Sequence, residues 1–183
     1  MPTSNPPVSV SLCLNVNQGA NVDTNITLYP NTTQYPNGNP TATGSWPMSI
    51  ELPSGTTFID DFSIVYPNDD RGNAGGNYTV TVSLPDGYTF AQGPGTVAVP
   101  GATPEQQNYE DGIVWLNGQG SLKQLTAKIK QGNLELKFKK AANENWADWR
   151  YQYAFVVVES ASGTVMASPD PEISTGSNGS NPP

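Results

Sequence analysis

The side chains of this chain that can do acid–base or metal chemistry are almost all carboxylates, because it has no histidine and a single cysteine, Cys13. Without histidine there is no Ser-His-Asp or Cys-His nucleophile pair, and most zinc sites and every blue-copper site are excluded. Cys13 stands among Ser9, Ser11 and Asn15 with no evident base beside it, so it reads as an inert thiol on a strand face, and as a lone cysteine it forms no intrachain disulfide. Paired carboxylates remain, since glycosidases work with two of them. The pairs are Asp60-Asp61, Asp69-Asp70 and Glu110-Asp111. Adjacent strand residues point to opposite faces, so Asp60 and Asp61 do not share a site. The other two pairs fall in turn-like segments, where solvated carboxylates are ordinary. No glycine-rich phosphate loop follows a strand and opens a helix. The expectation is a protein without catalytic activity.

Two oxygen-rich segments offer donors to Ca²⁺, a hard cation that takes carboxylate, amide and carbonyl oxygens. Asn68 to Asn77 contains Asp69 and Asp70 among glycines and asparagines, with Arg71 partly offsetting their charge. Its spacing is not that of an EF-hand, because no Glu closes a twelve-residue loop. A plain Asn/Gly turn is the simpler account of it. The second segment is Gln107-Asn108-Tyr109-Glu110-Asp111-Gly112-Ile113-Val114-Trp115-Leu116-Asn117. This run resembles the acidic run of the calcium-dependent fucose- and mannose-binding lectins. In that family, paired Ca²⁺ ions held by the run coordinate sugar hydroxyls. Asp111 matches a ligand position, whereas Asn108 stands where an Asp is expected and Glu110 where an Asn is expected. The family places the run almost at its C-terminus and uses the terminal carboxylate as a ligand. Here the chain continues from Asn117 to Pro183, and membership is not assigned. The candidate metal ligands are therefore Asp69, Asp70, Asn108, Glu110 and Asp111. Trp46 and Trp146, in or beside loops, are the candidate platforms for stacking on a pyranose ring, with core or loop anchoring as the plainer role for each.

Charge is distributed unevenly. The formal net charge is −8, which argues against general binding to nucleic acid or to an anionic membrane surface. Yet six of the eight basic residues, Lys123, Lys128, Lys130, Lys137, Lys139 and Lys140, fall in one stretch, and only Arg71 and Arg150 lie elsewhere. Lysines on an edge strand discourage sheet-to-sheet aggregation. The alternative is a basic patch, with Lys128, Lys130, Lys137 and Lys139 as contacts for an anionic partner, which includes the acidic surface of a second copy.

These residues must be positioned by strands. Leu125, Ala127 and Ile129 alternate with Thr126, Lys128 and Lys130. Gln131-Gly132-Asn133 makes a turn, and Leu134, Leu136 and Phe138 alternate with Glu135, Lys137 and Lys139. Period two around a Gly-containing loop is a β-hairpin. Trp149 to Val158 follows, with Trp149, Tyr151, Tyr153, Phe155 and Val157 on one face and Ala154, Val156 and Val158 on the other. A strand apolar on both faces lies inside a sheet and is covered on both. Further alternating runs cover Val8–Val16, Val22–Leu28, Met48–Leu52, Thr56–Tyr66 and Tyr78–Leu84, with short runs at Tyr88–Phe90, Thr96–Val99, Ile113–Leu116 and Thr164–Ala167. About ten short strands with turn signals between them and no substantial helix predict an all-β, antiparallel β-sandwich, Ig-like or jelly-roll.

Residues 1–6 and 174–183 are expected to be disordered, flanking a single domain over 7–173. The N-terminal residues lack the basic and apolar regions of a secretory signal, and no apolar run approaches transmembrane length. The expectation is synthesis in a cytoplasm, with incorporation into a particle such as a virion or release by a non-classical route. The four Asn-x-Ser/Thr sequons, at Asn25, Asn31, Asn77 and Asn178, then read as chance in a chain rich in Asn and Thr. The leading expectation is a structural or assembly module that associates with itself or decorates a larger particle. The alternative is a carbohydrate-binding module, with or without Ca²⁺.

Overall fold

The computed structural model describes residues 11–15, 22–30, 46–53, 55–59, 61–65, 77–118, 125–139, 149–169 and 172–176. They form fifteen short strands and, among the described residues, no helix. The strands are β1 (Ser11–Asn15), β2 (Val22–Leu28), β3 (Met48–Leu52), β4 (Gly55–Ile59), β5 (Asp61–Val65), β6 (Asn77–Ser83), β7 (Tyr88–Phe90) and β8 (Gly95–Ala98). Then come β9 (Gln106–Tyr109), β10 (Ile113–Gly118), β11 (Leu125–Lys130), β12 (Asn133–Lys139), β13 (Trp149–Glu159), β14 (Val165–Ala167) and β15 (Glu172–Gly176). The protein is an all-β sandwich. One sheet has the order β1-β5-β15-β13-β10, with β7 and β14 also pairing with β13, and the other has the order β11-β12-β6-β2-β3-β4. A separate two-stranded ribbon joins β8 and β9.

Strand β13 organises the first sheet. It pairs with β10 through Tyr151–Phe155 and with β7 through Val157–Glu159, and it also takes β15 along Trp149–Gln152 and β14 along Val156–Val158. Ladders therefore run along both of its edges, and they give much of its buried backbone the hydrogen-bond partners that burial demands. Its two apolar faces enter different cores. Tyr153, Phe155 and Val157 join Phe90 and Ile113 against Ile26, Leu28, Met48, Ile50, Val80, Val82, Leu134 and Leu136 of the six-stranded sheet, forming the core between the layers. Ala154 and Val156 point the other way, onto Val97, Val99 and Tyr109 of the β8–β9 ribbon. The expected double coverage of this strand is present, and all five side chains from Tyr153 to Val157 are buried.

The expected hairpin is present as β11–β12, with Leu125 opposite Phe138 and Lys130 opposite Asn133. Its loop is shorter than the spacing suggests, because Asn133 is already in the ladder. Gln131 and Gly132 alone turn the chain, both with positive φ (51° and 82°), as a two-residue type I′ loop requires to match the strand twist.

Four features depart from the sequence reading. The run Thr56–Tyr66 is not one strand: β4 pairs with β3 in the six-stranded sheet and β5 pairs with β1 in the other, so the chain changes layer near residue 60. Gln106–Tyr109 is a strand, although its composition reads as a loop. Its pairing with β8 and the burial of Tyr109 override weak local propensity. Finally, the β1–β5, β5–β15 and β2–β6 ladders are parallel within an otherwise antiparallel fold. Strand β15 also runs on to Gly176, past the expected end of the packed region at Ile173.

Candidate functional site

The six-stranded sheet has its apolar residues on the inner face, so the alternate residues form an outward polar face. Registers fix how these residues line up across strands. Lys128 stands opposite Glu135, Glu135 opposite Thr81, and Thr81 beside Asn25. The β2–β3 register, which pairs Ile26 with Ile50, sets Glu51 next to Asn25, and Glu51 stands opposite Thr56. A second row runs Thr126, Lys137, Thr79, Asp23. A third contains Lys130 and Asn133 at one end and Ser83, Thr27 and Ser49 further along.

Three of the four candidate lysines are brought together here. Lys128 and Lys130 on β11 and Lys137 on β12 are exposed. Glu135 sits between them, and its carboxylate accepts Lys130 Nζ at 2.7 Å and Lys137 Nζ at 3.2 Å. The hydrogen bond from Lys130 holds the Glu135 carboxyl below its usual range, with Lys137 adding to the effect and partial burial opposing it. Three ammonium groups around one carboxylate leave this end of the face positive. The far end carries Asp23 and Glu51, both exposed, with Glu51 Oε1 accepting the Thr56 hydroxyl at 2.6 Å. Between the two ends, Thr79 and Thr81 on β6 are half-buried and uncharged. Lys139 closes β12 opposite Asn77; its side chain lies outside the described residues.

The remaining candidates are dispersed. Asn108 and Glu110 are exposed along one face of β9 and just beyond it. Asp111 is half-buried, and its Oδ1 accepts the Gly93 amide at 3.3 Å, so one of its oxygens already has a structural role. These three lie at the β8–β9 ribbon, which covers the first sheet, and the lysines lie on the other sheet. Trp46 is half-buried and packs on the central core beside β3. Trp146, Asp69 and Asp70 lie outside the described residues. Among the described residues, no group of three or more His, Cys, Asp or Glu side chains is placed to hold a metal ion, and no helix is long and apolar enough to cross a membrane.

Asp23, Glu51 and the β6 threonines did not stand out in the sequence as functional candidates. Each occupies a polar slot of an alternating strand, which reads as ordinary solvated surface. Only the strand order β12-β6-β2-β3 puts them on one face with the lysines.

A scan against protein-family models finds no family that matches this chain. A search of curated proteins likewise finds no match. The function therefore has to be argued from this surface.

Proposed function

We propose that this protein is a non-enzymatic structural or assembly module that associates with copies of itself or decorates a larger particle or surface. One observation carries the reading: an edge hairpin displays exposed lysines around a single carboxylate, on a chain whose formal net charge is −8. A cationic patch on an anionic body attracts the body of its neighbours, and such contacts weaken as salt screens them. Light scattering at about 0.02 M and about 0.5 M salt tests this. The expected result is a mass above that of one chain that falls with salt, and that K128E/K137E/K139E reduces to the monomer. An unchanged mass in that variant sinks the electrostatic part of the reading.

A glycan-binding module is the second reading. It is favoured by the exposure of Asn108 and Glu110 beside Asp111 at the end of β9. It predicts a change in tryptophan fluorescence when glycans are added, lost on replacement of Trp46 or Trp146, with or without Ca²⁺; a response that requires Ca²⁺ is expected to be lost in D111A. A flat response across a broad glycan panel would end it.

A further inference from the structure

The polar face of the six-stranded sheet is charged in a self-complementary way about its third strand, β6. Counting outward from β6, β12 and β2 are one strand away, on opposite sides, and β11 and β3 are two strands away. Lys137 on β12 and Asp23 on β2 are both in register with Thr79 of β6. Lys128 on β11 and Glu51 on β3 both lie in the row of Thr81. Each lysine thus has a carboxylate in the same row, at the same distance on the other side of β6: about 5 Å for the inner pair and about 10 Å for the outer one.

A half-turn about an axis along β6 turns the face over, exchanges its two sides and leaves every row in place. Resting on the self-association reading above, we propose that two copies of this chain pair through these faces as a closed two-fold dimer. Lys137 of each copy then meets Asp23 of the other, and Lys128 meets Glu51. The neutral Thr79 and Thr81 lie along the axis, facing their own counterparts. The operation suits the shape of the surface as well as its charge, because a uniformly twisted sheet is unchanged by a half-turn about its central strand, so the two surfaces nest. Stacked sheets lie about 10 Å apart, a gap that a lysine and a facing carboxylate side chain span together. Such an isologous interface closes at two copies, whereas opposite patches on different faces would give open chains.

The charges are available. Among the described residues, Lys128 and Asp23 form no ion pair, and Lys137 shares Glu135 with Lys130. Five strands by five residues give roughly 400 Å² per copy, below the size of a standard interface, so the dimer is weak, concentration-dependent and sensitive to salt.

Sedimentation equilibrium over a wide concentration range tests the proposal with charge-reversed faces, each variant checked for folding by circular dichroism. Wild type is expected to approach the mass of two chains at low salt and of one at high salt. K128E/K137E and D23K/E51K are each expected to be monomeric, because the four pairing positions become all acidic in the first and all basic in the second. Mixed in equal amounts, the two variants are expected to form a one-to-one dimer tighter than wild type. In a Cys13→Ser background, Thr81→Cys is expected to crosslink with a short bismaleimide, at a yield that falls when salt is added. If K128E/K137E dissociates and D23K/E51K associates as wild type does, the hairpin binds some other acidic surface; the general assembly reading survives and this dimer is wrong. If both variants associate as wild type does, the charge pairing of this dimer is wrong; if wild type stays monomeric at every concentration and salt, both this dimer and the self-association half of the proposed function fail.

Discussion

Ser168 and Phe155 hold each other by a reciprocal pair of hydrogen bonds. The Ser168 amide donates to the Phe155 carbonyl at 2.8 Å, and the Phe155 amide donates to Ser168 Oγ at 2.9 Å. The side chain thus continues the β13–β14 ladder one step beyond Ala167, where the last backbone pairing ends. Ser168 is one of two buried polar residues among those described, only 2% exposed. Ser168→Ala leaves the buried Phe155 amide unpartnered and is expected to destabilise the fold by about 1–3 kcal/mol. Ser168→Thr is expected to retain much of the loss-prone bond. Denaturant unfolding of the three proteins measures both, and an alanine variant as stable as wild type contradicts the assignment.

Gly95 is paired with Tyr109 across the β8–β9 ribbon, and the tyrosine ring lies over it. A Cβ at Gly95 would collide with the Tyr109 ring at Cζ and its hydroxyl. Gly95→Ala should push Tyr109 out of the second core at a cost of about 1–3 kcal/mol. Because the cost is steric and specific to that ring, it should largely vanish when Tyr109→Ala is already present. A double-mutant cycle by thermal unfolding measures the coupling; additive losses would show that Tyr109 is not the obstacle.

Gln131 is the one described non-glycine residue with positive φ. Left-handed backbone costs roughly 1–2 kcal/mol for a residue bearing Cβ and is eased in Asn. Asn-Gly is also the preferred pair for this two-residue loop. Gln131→Asn should therefore raise stability by about 0.5–1 kcal/mol, and Gln131→Val should lower it by a similar amount. Midpoints of urea unfolding at unchanged slope provide the check.

Glu135 links stability to pH. Lys130 and Lys137 depress its folded-state pKa below the ordinary value of 4.5. The stabilisation is thus fully present above the unfolded pKa and is lost as pH falls through the lower, folded value. Both lysine side chains are about half exposed, so solvent screening keeps the contribution under about 1 kcal/mol. Glu135→Gln is expected to be slightly less stable than wild type at pH 7, to converge with it as the pH falls below the folded-state pKa of Glu135, and to lie closer to it in high salt. A gap that widens in acid would reverse the sign of this linkage.

Asp111 fastens the Gly93 amide at 3.3 Å and is half-buried. Asp111→Asn keeps an acceptor oxygen and should be nearly neutral, whereas Asp111→Ala should cost about 1 kcal/mol. Hydrogen exchange at the Gly93 amide reports the same difference locally. Equal protection in both variants would show that the bond contributes nothing.

Strands with strong alternation were legible in advance. The Leu125–Phe138 hairpin and the doubly apolar Tyr153–Val157 segment both take the structure their patterns demand. The β9 strand was not, because Gln106, Gln107 and Asn108 are poor strand formers and only the partner strand and the buried Tyr109 ring hold them extended. Nor was the break between Ile59 and Asp61, since the alternation runs through it while the chain passes from one sheet to the other. The lysines of the candidate surface could be picked out as a cluster. Asp23 and Glu51 could not be connected to them.

The sequence by itself determined which residues face inward along each strand, because a period of two is a local steric property of extended chain. It also determined the all-β class, the excess of negative charge and the concentration of lysine on one hairpin. Tertiary structure alone decided which strand lies beside which. The parallel β2–β6 ladder joins segments far apart in the chain, and no local pattern encodes a pairing made by burying the shared face of Ile26, Val80 and Leu134. That pairing sets Lys137, Thr79 and Asp23 in one row, and the row turns a scatter of polar surface residues into a charged face.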